Sequence, residues 1–214
     1  MKETIFDQPG ALEMLRVRKE HIDTLPLTFE NRRLVDIGCG VGHFTKYFIE
    51  RGAAVTAIDA RGENIYELRQ RLGFPSAPNL TSMVRDVTVD PVPSRDVVFC
   101  YGLLYHTTDP VGVLERLASA TQRLLLLETM VTDSERIVSF FVEEDNKQAD
   151  QSLKSYGCRP SVGMIREVLA KGGLTVSIPE PQPLHEEFQW TATGNMSYGE
   201  NGHSLRRVFI ARRD

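Results

Sequence analysis

With 214 residues, 41% of them hydrophobic and 25% charged, the chain has the composition of a folded domain and not of a disordered polymer. Its formal net charge of −4 argues against a general nucleic-acid coat, while leaving room for one local basic patch. Three cysteines, Cys39, Cys100 and Cys158, lie far apart without a C-x-x-C pair; this excludes a zinc module or a disulfide framework and points to a reducing, cytoplasmic home.

The charged N-terminal stretch does not read as a secretion signal, and no apolar run approaches the ~18 residues of a membrane span. Residues 11–23 place Leu12, Leu15 and Ile22 at helical spacing, and Pro26 stops that helix. Strand-length apolar runs follow at 33–37, 54–59, 80–84, 95–101 and 123–129. Helices are predicted between them at 43–51 and 62–72, and from Pro110 to Ala120 with Asp109 as N-cap. The polar stretch 132–158 reads as a helix plus loop, with Phe140, Phe141 and Val142 on its helix and 143–145 as a solvated acidic face. Another helix is predicted from Pro160 to Gly172-Gly173, then strands at 174–178 and 207–211 around a proline-rich irregular stretch.

Short strands alternating with helices mean parallel strands with crossover helices; apolar strands mean both sheet faces are covered. The last two strands lack a helix between them, which makes that pair antiparallel. The expected fold class is therefore α/β, a doubly wound, mostly parallel, seven-stranded sheet with an antiparallel last strand. Such a sheet binds ligands beyond its C-terminal strand ends, where strand order reverses. One domain is expected over 1–214, with 1–30, 132–158 and 179–206 left over as lid or acceptor-recognition segments. His185, Glu186, Glu187, Phe188, Trp190, Asn195, Tyr198 and His203 make the third of these an acceptor-wall candidate or a plain surface loop. Arg206, Arg207, Arg212 and Arg213 read as surface charges, split between two strand faces.

The densest motif is V-D-I-G-C-G-V-G-H-F at 35–44. Gly38, Gly40 and Gly42 permit positive-φ turns and close approach to a ligand. Asp36 precedes the turn and suits either a ligand ammonium or the loop backbone. Asp59 ends the second strand, where a carboxylate can take both hydroxyls of a ribose. Asp86 follows the third strand and can accept from an adenine amine, with the Val87 N–H beside it. A dinucleotide fingerprint wants a third glycine where His43 stands. Ammonium, ribose and adenine without a phosphate cradle describe S-adenosylmethionine.

These residues resemble the class I S-adenosylmethionine-dependent methyltransferase family, well over residues 33–130 and loosely elsewhere. The resemblance implies a Rossmann-like fold and a cofactor pocket lined by Asp36, Gly38, Cys39, Gly40, Asp59, Ala60, Arg61, Asp86, Val87 and Tyr101. It places Cys100, Tyr101 and Gly102 along the methionine arm, with Tyr105 and His106 where the acceptor reacts. His106 is the candidate base for an acceptor hydroxyl, since neutral imidazole takes protons near pH 7; the alternative is a histidine that orders the loop. Tyr105 either assists or packs over the pocket. The spacing of metal-dependent catechol-type enzymes is missing, so no catalytic metal is expected. A small-molecule acceptor methylated on O or N is the favoured reading. The string L-L-Y-H-x-x-D-P at 103–110 is also similar to one in enzymes that modify the tRNA wobble uridine, so tRNA stays an alternative. A nicotinamide-dependent oxidoreductase and a non-catalytic cofactor-binding module are the others. No membrane partner is expected, and a homodimer is compatible with the sequence.

Overall fold

A computed structural model of the chain describes residues 3–190 and 205–213. In chain order it contains α1 (Pro9–Thr24), β1 (Arg33–Ile37), α2 (His43–Ile49), β2 (Ala54–Asp59), α3 (Gly62–Leu72), β3 (Leu80–Val84) and β4 (Arg95–Tyr101). There follow α4 (Pro110–Ala120), β5 (Thr121–Val131), β6 (Ser139–Glu143), β7 (Tyr156–Pro160), α5 (Val162–Lys171), β8 (Thr175–Ser177) and β9 (Leu205–Arg212). Short 3-10 turns occur at Ile5–Asp7, Leu104–His106 and Glu186–Phe188.

Seven strands form one sheet in the order β3-β2-β1-β4-β5-β9-β8. β1 to β5 run parallel, and β9 is antiparallel to both its neighbours. This is the Rossmann-like doubly wound sheet expected from the alternation. Its strands are apolar on both faces because both are covered. In β4, Val97, Phe99 and Tyr101 point into the core under α1 and α2, whereas Val98 and Cys100 point into the core under α4 and α5. β5 and β9 repeat the pattern: Leu126 and Val208 go one way, Leu127 and Phe209 the other. Asp109 caps α4 as predicted, its carboxylate accepting from the Gly112 N–H at 2.9 Å.

Three expectations change. The 132–158 stretch contains no helix; β6 and β7 form a separate antiparallel hairpin, pairing Phe141 with Cys158 and Val142 with Gly157. Phe140-Phe141-Val142 is a strand-forming triplet, and the polar residues after it are the hairpin's connection. The next helix starts at Val162 and not at Pro160, because Pro160 ends β7 and Ser161 caps the helix by accepting from the Met164 N–H. Arg206 and Arg207 are not surface charges: both are buried on β9 and engaged in ion pairs.

Candidate active site

β1 is the switch point of the sheet, with β2 on one side and β4 on the other, so the crevice opens beyond its C-terminal end. The chain leaves β1 through Gly38 at φ +73° and Gly40 at φ +52°, which no β-branched residue could adopt without strain. A Cβ on Gly38 would also stand 2.9 Å from Leu103 Cβ. The turn is laced to the end of β2: the Gly38 and Cys39 N–H groups donate to the Ile58 carbonyl at 2.8 and 3.0 Å. The Gly40 N–H donates to Asp59 Oδ2 at 3.0 Å, and the Arg61 N–H to Asp59 Oδ1 at 2.9 Å. Burial nevertheless raises the Asp59 carboxyl above its ordinary range.

Gly38, Gly40, Asp59, Ala60, Arg61, Asp86 and Val87, seven of the predicted cofactor residues, line one cavity. Asp86 is on its wall, and its Oδ1 accepts from both the N–H and the hydroxyl of Thr88. The hairpin connection roofs this cavity, with Gln151, Ser152 and Leu153 on its wall. Arg61 anchors that roof by donating to the carbonyls of Asn146 and Gln151, both at 3.1 Å.

A second cavity adjoins the first; Gly38, Gly40, Gly102 and His106 line both. Tyr105 belongs to the second, with the guanidiniums of Arg159 and Arg206 lying 5.3 and 4.9 Å from its ring centre. Its hydroxyl accepts from Arg206 at 3.2 Å. Arg206 also reaches Glu128 at 3.0 Å and Glu187 at 2.5 Å. Arg18 of α1 pairs with the other Glu128 oxygen at 2.6 Å. Burial disfavours the Arg206 charge, but Tyr105, Glu128 and Glu187 outweigh it and keep the guanidinium charged.

His106 Nδ1 lies 2.6 Å from Glu144 Oε2. Sequence reasoning assigned Glu144 to a solvated helix face; its side chain is in fact 5% exposed. Burial pushes its carboxyl up, yet the bond to His106 prevails and holds it below the ordinary glutamate range. A carboxylate on one ring nitrogen leaves the other as the base, which is how imidazole is prepared to take a proton. His185, Glu186 and Glu187 line the second cavity, whereas Phe188 is core and Trp190 carries Arg207 over its ring at 4.0 Å. Asn195, Tyr198 and His203 lie outside the described residues.

Three predicted cofactor residues do not line the first cavity. Cys39 and Tyr101 are on the second, and Tyr101 Oη is buried with no hydrogen-bond partner. Cys100, expected beside the methionine arm, is fully buried under α4 because β4 turns it to the opposite face from Tyr101. Asp36 lines neither cavity. It sits behind the turn and accepts from the Thr45 hydroxyl of α2 at 2.6 Å.

Burial raises the Asp36 carboxyl to about 7. A carboxyl that is harder to ionise in the folded than in the unfolded chain costs nothing at acid pH; above its ordinary value it opposes folding, because the unfolded chain ionises freely while the folded one still holds the proton. We expect this group to remove up to about 4 kcal/mol of stability as the pH rises from 3.8 to about 7. Asp36→Asn should flatten that slope in urea unfolding across the range; parallel slopes in the two proteins would contradict it.

A family model described as a methyltransferase domain matches residues 12–190. A tRNA U34 carboxymethyltransferase from Campylobacter lari is 25% identical over 145 residues, covering 67% of this chain and 40% of its own. A ubiquinone biosynthesis O-methyltransferase from Xanthomonas euvesicatoria pv. vesicatoria is 30% identical over 105 residues, covering 48% of this chain and 44% of its own. The chain thus spans less than half the length of these curated relatives. Among solved structures, an S-adenosylmethionine-dependent methyltransferase from Mesorhizobium loti superposes with a TM-score of 0.64 at 20% identity, over 95% of this chain and 99% of that one. The glycine turn, the acid ending β2 and the sheet order agree with that match over most of the chain, which belongs to the methyltransferase-domain family.

Proposed function

We propose that the chain transfers a methyl group from S-adenosylmethionine to O or N of a small-molecule acceptor. The observation that carries this is the pair of adjoining cavities at the switch point, one ending on Asp59, the other on Tyr105, with His106 on both walls. The first cavity fits the cofactor by its donor set: Ile37, Ile58, Val87 and Leu103 supply an apolar wall for a nucleoside, and Asp59 an acceptor for ribose hydroxyls. It suits a dinucleotide poorly. A pyrophosphate needs the N-terminus of the helix after the glycine turn, and there the Asp7 carboxylate stands 3.1 Å from His43.

When bound, S-adenosylmethionine supplies a methyl group on an already activated sulfonium, so the chain's task is chiefly orientation. Phe6 and the hairpin connection line the first cavity, where they would shield a bound cofactor from water. Tyr105, Arg18 and Arg206 hold the acceptor end. His106 receives the proton from an acceptor hydroxyl at Nε2, the nitrogen Glu144 leaves available. The O-methyltransferase relative supports oxygen as the acceptor atom. The walls of the second cavity, drawn from α1, the hairpin and residues 185–187, favour a small molecule over tRNA.

Calorimetric titration tests the reading. S-adenosylhomocysteine should bind and NAD should not, and Asp59→Asn should weaken the former about 10–10²-fold through lost charge-assisted hydrogen bonds. Preferential NAD binding would refute the cofactor assignment. A salt-sensitive complex with tRNA would move the acceptor class to nucleic acid.

A further inference from the structure

The turn carrying Tyr105 and His106 is gripped by the β6–β7 hairpin at three consecutive residues. The Cys158 thiol donates to the Leu104 carbonyl at 3.4 Å, Arg159 donates to the Tyr105 carbonyl at 3.4 Å, and Glu144 takes His106 Nδ1 at 2.6 Å. Backbone sterics make this approach possible: a Cβ at Gly157 would overlap both the Glu144 carboxylate and the Tyr105 carbonyl. The same carboxylate oxygen that meets His106 accepts from the Ser152 N–H at 2.8 Å. Ser152 lies in the roof of the first cavity, and that roof is tethered by Arg61, two residues beyond Asp59. One carboxylate therefore joins the loop over the cofactor cavity to the imidazole on the acceptor side.

We propose that Glu144 is a positioning residue that keeps the His106 proton on Nδ1, leaves Nε2 as the proton-accepting nitrogen, and does so only while the hairpin connection is seated over the first cavity. The proposal rests on the methyltransferase reading for its catalytic meaning, but the chemical state of His106 can be read without turnover. A carboxylate beside Nδ1 accepts a hydrogen bond from the Nδ1–H and fixes the tautomer; without it the ring is free to carry its proton on Nε2, and that nitrogen then cannot act as the base. Seating the roof orders Ser152, and Ser152 helps hold the carboxylate in place. Cofactor binding and readiness of the base are thereby linked through a single side chain.

The test is nitrogen-15 NMR of the histidine side chains of the whole protein above neutral pH, with the His106 signals assigned by their loss in His106→Gln. Wild type should show the Nδ1–H form. Glu144→Ala should shift His106 toward the Nε2–H form and lower kcat by roughly 10–10²-fold, less than loss of the base itself. Glu144→Gln, which keeps the side chain's size but removes the charge that favours a proton on Nδ1, should shift the tautomer in the same direction and decides the matter if Glu144→Ala fails to fold. S-adenosylhomocysteine should slow hydrogen exchange at the Ser152 amide in wild type and not in Glu144→Ala. An unchanged tautomer in the folded variants overturns the positioning role, and unchanged Ser152 exchange overturns the coupling. Absence of S-adenosylhomocysteine binding to wild type, by contrast, would strike the methyltransferase reading and leave the tautomer result standing.

Discussion

His106→Ala should lower kcat by about 10²–10⁴-fold while S-adenosylhomocysteine affinity stays within about threefold of wild type. The split follows from position. His106 lines both cavities, but Asp59 and Asp86, which the proposed function gives to the cofactor's ribose and adenine, stand at the ends of β2 and β3, on other elements. Its Nδ1 is committed to Glu144, so under the proposed function truncation removes a prepared base and not a generic polar contact. Single-turnover methylation of an acceptor, alongside calorimetry with S-adenosylhomocysteine, measures both quantities. Full turnover in the variant would end the base assignment. A large loss of cofactor affinity with turnover preserved would instead make His106 a residue that orders the cofactor loop.

The second large effect concerns stability. Glu128 at the C-terminal end of β5 has no exposed surface and receives Arg18 on one oxygen and Arg206 on the other. Glu128→Gln keeps the shape and removes the charge that both guanidiniums share. Breaking a buried ion network from one side strands the remaining charges, and we expect a loss of about 3–5 kcal/mol. Replacing Arg18, Glu128 and Arg206 together by apolar residues of similar size should recover most of that loss, because the one carboxylate that then loses its partner, Glu187, is 31% exposed and can be solvated. Urea denaturation of the two proteins measures the difference. A Glu128→Gln protein within 1 kcal/mol of wild type would show that the network does not hold this edge of the sheet. The consequence reaches function as well: the same ion pairs tie α1 and the Glu186–Phe188 turn to β5 and β9, and these elements wall the second cavity.

The features readable from the sequence were those set by local chemistry. The alternation of short apolar runs with helical spacing dictated a covered, mostly parallel sheet, and each strand's two-residue period is visible in how Val98 and Phe99 face opposite cores. The glycine turn and Asp59 declared themselves because a positive-φ turn after a strand and an acid ending the next strand occupy fixed places in such a sheet. Asp36 shows the limit of that logic. Its place in the motif was legible, but the side on which its carboxylate lies was not, since that depends on Thr45 coming over it from α2.

What only the tertiary structure decided is how distant residues meet. Glu144 stands 38 residues from His106, in a polar stretch whose composition favours a solvated helix; folding the hairpin back over the Leu104–His106 turn buries it. Arg206 looks like one of several terminal basic residues until β9 inserts between β5 and β8 and delivers it to Glu128, 78 positions away. Local propensity and periodicity are properties of neighbours along the chain. Partners for buried charges are set by which elements the topology brings together, and a charge is tolerated in the interior only where such a partner arrives.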